Sequence, residues 1–190
     1  MERFKTLVRQ LISHPHTHAK WLNTLSYLEN CGAKKIARAE PTFDVSREML
    51  KHAAEEFRHA FYLKQQISTR LGLFLPTYHQ DCILGGWQTT HYLDRLEVQI
   101  CRLIKNKNII YPILTYAIEV RAAKAYPLYQ ELLIESGSPV SVRSILLEEK
   151  GHLEEMEGQL GNYSYEKKIA CQIEEKLFEE WTCKLKINLN

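Results

Sequence analysis

A carboxylate on the apolar face of a helix must find a partner, and this chain places one there repeatedly. In the stretch Ile145 to Met156, ILLEEKGHLEEM, the residues Ile145, Leu146, Leu153, Met156 and then Leu160 recur at helical spacing. Glu149 and His152 fall inside that stripe rather than opposite it. Residues three apart share a helix face, so this carboxylate and this imidazole can address one object. An unpaired buried carboxylate is costly, and its remedies are a cation, a metal or protonation.

The pattern recurs along the chain. The spacing predicts a short leading helix over 3–12, with Ser13 and Pro15 as N-cap and first turn of the next. That next helix spans about 15–38, with the stripe Leu22, Leu25, Glu29, Gly32 and Ile36, and Pro41 closes it. A glutamate again takes an interior position, and Gly32 beside it lets another group approach the backbone. Asp44 or Ser46 caps a helix that ends at Gly72. Its seam is Met49, Ala53, Glu56, Ala60, Leu63, Ile67 and Leu71, with His59 three residues after Glu56.

Residues 73–86 read as a connection, followed by a helix over about 87–104 and a polar break at 105–108. A helix from Ile109 then carries Ile113, Tyr116, Glu119 or Val120, Ala123 and Tyr126, with a kink expected at Pro127 and an end at Gly137. Ser138-Pro139 restarts the chain as the helix bearing Glu149, ended by Gly158 and Gly161. Ser164 caps a last amphipathic helix to about Cys183, whose charged outer face reads as a solvated surface or a packing arm.

With 20 Glu and eight His in 190 residues, chance alone yields about 0.8 Glu-x-x-His pairs, so two of them decide little. Their context is more telling. Both read Glu-Glu-x-x-His, both sit mid-helix on the apolar seam, and each follows a lone interior glutamate by 27 or 30 residues. Four carboxylates and two neutral imidazoles sum to about −4, which two divalent cations neutralise. Carboxylate with imidazole suits iron or manganese.

This order of motifs resembles the ferritin-like di-iron carboxylate superfamily over residues 15–160, with a lone Glu on each of two helices and Glu-x-x-His on the other two. The resemblance implies an all-α chain: a four-helix bundle with a long crossover between its second and third helices, plus extra N-terminal, crossover and C-terminal helices, all in one domain. It implies two iron ions, or manganese in their place, held by Glu29, Glu56, His59, Glu119, Glu149 and His152. Glu55 and Glu148, each four residues before a ligand histidine, are candidates to orient it, although a solvated surface position is the plainer reading.

Tyr27, Tyr62 and Tyr116 are candidates for redox or hydrogen-bonding roles beside the metals, with ordinary core tyrosines as the preferred alternative. His14, His16 and His18 form H-x-H-x-H at a helix start, where histidines more often face solvent.

The resemblance offers three activities. One is an oxygen-activating hydroxylase or oxidase with a small-molecule or tRNA substrate and an external electron donor, as in the tRNA hydroxylase and quinone hydroxylase branches. The run Ile118-Glu119-Val120-Arg121 is similar to the corresponding segment of the tRNA hydroxylases. A rubrerythrin-like peroxidase using peroxide is disfavoured by the absence of rubredoxin-type cysteines and by Ala122, where that branch carries a second glutamate. An iron-binding or ferroxidase protein without organic substrate is the non-enzymatic alternative. A ferritin cage demands large self-complementary surfaces, which extra terminal helices disfavour; a homodimer is a candidate assembly.

Composition agrees with an ordinary globular chain: 45% hydrophobic, 25% charged, formal net charge +2. That balance argues against a uniformly basic nucleic-acid surface. No apolar run approaches the roughly 18 residues of a membrane span, and the N-terminal stretch is amphipathic, unlike a signal-peptide core. Five scattered cysteines without C-x-x-C point to a reducing cytoplasm rather than to a disulfide framework.

Overall fold

The computed structural model describes residues 2–39 and 46–187, with only the backbone of Lys186 and Ile187. The described residues form eight helices and no strand. They are α1 (Glu2–Ile12), α2 (Pro15–Ala39), α3 (Arg47–Leu71), α4 (Trp87–Thr90), α5 (Tyr92–Leu103), α6 (Lys107–Glu135), α7 (Arg143–Gln159) and α8 (Ser164–Ile187). None is long and apolar enough to cross a membrane.

Local chemistry sets the helix ends. The Ser46 hydroxyl accepts from the Met49 amide at 3.3 Å, and Gly72, at φ 64°, closes α3 in the left-handed region. Asn106 caps α6 in the same way, through the Asn108 amide at 3.1 Å. At its other end Gly137 (φ 65°) forms a Schellman turn, with Ser138 N–H on Leu133 C=O at 3.0 Å and Gly137 N–H on Ile134 C=O at 3.1 Å. Pro112 and Pro127 both lie within α6.

Several boundaries differ from the sequence expectation. Ser13 does not cap α2: its hydroxyl donates to Gln10 C=O at 2.7 Å, and the His18 amide bonds His14 C=O instead. The helix expected over 87–104 is divided at His91 into α4 and α5. Ser138-Pro139 starts no helix. Residues 139–142 stay outside the helix, where two glutamines engage their backbone: Gln66 pairs with both the N–H and C=O of Ser141, and Gln130 accepts from Val142 N–H at 2.8 Å. Gly158 lies inside α7, which runs on to Gln159. Pro41 and Asp44 lie outside the described residues.

Contacts give the helix directions. As α2 advances from Ser26 to Gly32, its partners in α3 recede from Ala60 to Glu56, so the two are antiparallel. The same reasoning makes α6 and α7 antiparallel (Tyr116 with Glu157, Gln130 with Val142) and α3 and α7 antiparallel (Lys51 with Glu155, Arg58 with Glu148). It follows that α3 and α6 run the same way, and the connection between them must return along the length of the molecule. That connection, residues 72–106, carries α4 and α5, which pack on α2 and α8.

The core divides into two regions. One is apolar, where α1, α2, α5, α6 and α8 meet around Trp21, Leu11, Leu96, Ile100 and Leu132, with Trp21 stacked on Trp181 at 5.9 Å between ring centroids. The other is polar, where α2, α3, α6 and α7 converge.

Candidate metal centre

Each helix of the polar region turns a charged residue inward because its apolar neighbours at steps of three and four dictate that face. On α3, Ala60 and Leu63 bury the seam and carry Glu56 and His59 in with it; on α7, Ile145 and Met156 do the same for Glu149 and His152. Glu119 and Glu149 are each only 3% exposed, and His59 and His152 2%. Glu29 of α2 is half-buried at the rim. All six residues expected as ligands meet here.

They form two overlapping groups that could hold a metal ion. Glu29, Glu56, His59 and Glu149 bring ligand atoms within 4.8 Å of one another, and so do His52, Glu56, Glu119 and His152. Glu56 belongs to both. Between them, His59 Nδ1 lies 3.1 Å from Glu149 Oε1, and His152 Nδ1 lies 3.5 Å from Glu56 Oε1 and 3.9 Å from Glu119 Oε2. Four inward-facing buried atoms have no hydrogen-bond partner: His59 Nδ1, His152 Nδ1, Glu119 Oε2 and Glu149 Oε1. Buried polar atoms are nearly always satisfied, so this concentration calls for a missing partner.

The outer nitrogens of the two histidines are engaged. His59 Nε2 pairs with Glu148 at 2.8 Å, and His152 Nε2 with Glu55 at 2.9 Å. The two carboxylates thus work across the α3–α7 contact, each on the histidine of the other helix rather than on the one four residues along its own. The reason is direction: from an adjacent helical position, a glutamate reaches the neighbouring helix more easily than it bends back into its own seam. With Nε2–H donating outward, each ring in its neutral form presents its Nδ1 lone pair to the interior. Arg58 pairs with Glu148, and although burial alone would raise that carboxyl, Arg58 and His59 hold it below its ordinary value.

Protonation reflects the crowding. Burial, reinforced by Glu29 and Glu149, holds Glu56 well above the ordinary carboxyl value. Burial and Glu149 do the same to Glu119. Burial works against the charged form of His59, yet Glu149 and Glu29 beside it push it up to about 10. Glu29 moves the other way: burial opposes its charge, but His59, Glu56 and Tyr126 lower it. Without a metal, then, protons supply the positive charge that the cluster needs.

Two residues of the site were not singled out from the sequence. His52 is 6% exposed, its Nε2 is 3.1 Å from Glu119 Oε1 and 3.4 Å from Glu56 Oε1, and its ring lies 4.1 Å from that of His152. Burial, helped by the neighbouring His152, lowers it to about 3, so it stays neutral and keeps a lone pair. Its spacing, four residues before Glu56 and seven before His59, was the available signal. Tyr126 is the second: its hydroxyl donates to Glu29, and it lies two turns beyond Glu119 on the same face of α6.

Tyr27, Tyr62 and Tyr116 find hydrogen-bond partners outside the ligand groups. Tyr27 donates to Thr90 C=O at 3.4 Å, Tyr62 to Ser141 C=O at 2.9 Å, and Tyr116 to Glu157 at 3.4 Å near the surface. The H-x-H-x-H run is dispersed by the helix: His14 lies beside Ser13, His16 is exposed, and His18 is buried against the Tyr129 hydroxyl at 2.7 Å.

Next to this cluster, Arg121 of α6 forks onto Glu174 of α8 at 2.7 and 2.9 Å and also pairs with Glu175, while the Tyr92 hydroxyl donates to Glu174. The closing helix is therefore docked by a buried ion pair.

No family model matches the chain, and neither the curated proteins nor the solved structures compared with it give a match.

Proposed function

We propose that the polar core binds two divalent metal ions, iron or manganese, and that the chain is a ferritin-like non-haem di-iron oxidoreductase of the hydroxylase or oxidase type, acting on an organic substrate. The observation that carries this reading is the pair of overlapping ligand groups sharing Glu56, with four of their buried atoms lacking any partner. A single cation or a salt bridge would leave half of them unexplained. The parallel run of α3 and α6, which obliges a long crossover, supports the ferritin-like arrangement.

Glu29, His59 and Glu149 would hold one ion and Glu119 and His152 the other, with Glu56 common to both groups. Four carboxylates would balance two divalent charges, and the ions would take the place of the protons now held by Glu56, Glu119 and His59. His52, neutral and facing Glu119 and Glu56, is a seventh donor for the second ion. Bound metals of this kind supply electron transfer and oxygen activation. The protein supplies the rest: Glu148 and Glu55 fix the tautomers of His59 and His152, and Tyr126 holds Glu29 and offers a proton beside it.

Anaerobic titration with ferrous iron tests the reading. Uptake should stop at about two ions per chain, and Glu149→Ala should abolish at least one of them. Trace uptake, unchanged by Glu149→Ala, would remove the metal reading. Uptake that continues far past two ions would replace the oxidoreductase with a storage protein.

A further inference from the structure

An apolar cavity of about 110 Å³ lies directly against the carboxylates, and nothing in the ligand set accounts for it. One wall is formed by Glu29, Glu56, Glu119 and Glu149; the wall away from the metals is aromatic, formed by Trp21, Tyr92, Phe178 and Trp181. Small residues keep it open: Gly32 on α2, and Ala122 and Ala125 on α6. A β-carbon at Gly32 would meet nothing closer than Glu56 Oε2 at 3.6 Å, so the space there is real.

Empty apolar space of this size lowers stability and is ordinarily removed by a larger side chain. For scale, an apolar cavity of about 150 Å³ stays dry and binds benzene or xenon. Among the described residues the one cation on its wall, Arg121, is already paired with Glu174 and Glu175, and its guanidinium lies 4.0 Å over the Phe178 ring. A carboxylate or phosphate entering the cavity would find no free counter-charge there and would face the glutamates.

We infer that this cavity is the substrate chamber of the metal site and that it takes a small uncharged hydrocarbon group, an aromatic ring or short alkyl unit, whether a whole molecule or the apolar end of a larger one. The assignment of the occupant as substrate rests on the dinuclear-metal reading. The chamber itself is testable without metal.

The test is a titration of the metal-free protein with toluene and, separately, with benzoate, read by the emission of Trp21 and Trp181 and by calorimetry. Toluene should bind saturably at one site, and benzoate at least tenfold more weakly. Ala125→Leu, and independently Ala122→Leu, should weaken toluene at least tenfold while leaving the thermal midpoint equal or higher and iron uptake at the wild-type value. Absent saturable toluene binding, benzoate binding of equal strength, or toluene affinity unchanged in a folded Leu variant would each overturn the chamber. Toluene binding by a protein that takes up no iron would overturn the metal reading and leave an apolar-ligand site. Normal iron uptake without toluene binding would overturn the chamber alone.

Discussion

His59 and His152 each have one nitrogen tied to a glutamate of the other helix and one without a hydrogen-bond partner. Partners that orient a ligand histidine typically contribute 10–100-fold to metal affinity. Glu148→Ala should therefore weaken the ion held with His59, and Glu55→Ala the ion held with His152, each by about that factor; competition with a chromophoric chelator would read both. Equal loss of both ions in each variant would contradict the crossed pairing.

Acid sensitivity has sources in both His18 and His52, whose values burial lowers, and His18 lies apart from the ligand groups. Burial lowers His18 to about 4, and its ring is bonded to Tyr129. Because the folded value lies below the unfolded 6.5, the neutral ring's contribution is complete above pH 6.5 and is lost as the pH falls from there through about 4. The loss is on the order of 3 kcal/mol. Urea midpoints measured between pH 7 and 4 should fall steeply for the wild type and less for His18→Gln.

Among the elements, α8 is docked by a buried ion pair as well as by the Trp21–Trp181 stack. Glu174 is 3% exposed and satisfies the buried Arg121 together with Tyr92. Removing one partner of a buried pair costs about 3–5 kcal/mol when the other charge is left stranded, and Glu175, which also pairs with Arg121, keeps the cost at the lower end of that range. Glu174→Ala should lower stability by that amount in denaturant unfolding, and Glu174→Gln, which keeps hydrogen-bonding capacity, by less. The ligands of α2, α3, α6 and α7 would remain in place, so iron stoichiometry in the folded variant should be unchanged. The charged outer face of α8 was readable from its sequence, but the inward turn of Glu174 was not, since its partner lies 53 residues away.

At the scale of the whole molecule, metal and pH are linked. Glu56, Glu119 and His59 all carry values raised by folding, so each stabilises the metal-free protein fully below its unfolded value and loses that contribution as the pH rises, for His59 through about 10. Metal displaces those protons. Iron binding should therefore release protons and strengthen as the pH rises toward neutrality, which calorimetry in buffers of different ionisation enthalpy would show. Iron at about 100 times its dissociation constant should add about 2.7 kcal/mol of stability, and chelation should remove it.

Periodicity placed Glu29, Glu56, Glu149 and His152 on interior faces, because helical spacing is a local property and the apolar residues on either side determine which way each face turns; it left Glu119 open against Val120, and the order of motifs chose between them. The all-helical character followed from the same spacing and from end signals such as Gly72 and Gly137. Other features depended on how the helices lie against one another. His52 joined the site because α3 packs so that a residue beside its main seam meets Glu119 of α6. Glu55 and Glu148 reach each other's histidines because α3 and α7 lie against one another, and Tyr126 joins the site through its hydrogen bond to Glu29 of another helix. The chamber, too, is a product of packing: it exists where small residues of α2 and α6 face the aromatic rings of α5 and α8, an encounter between segments far apart in the chain that no local pattern encodes.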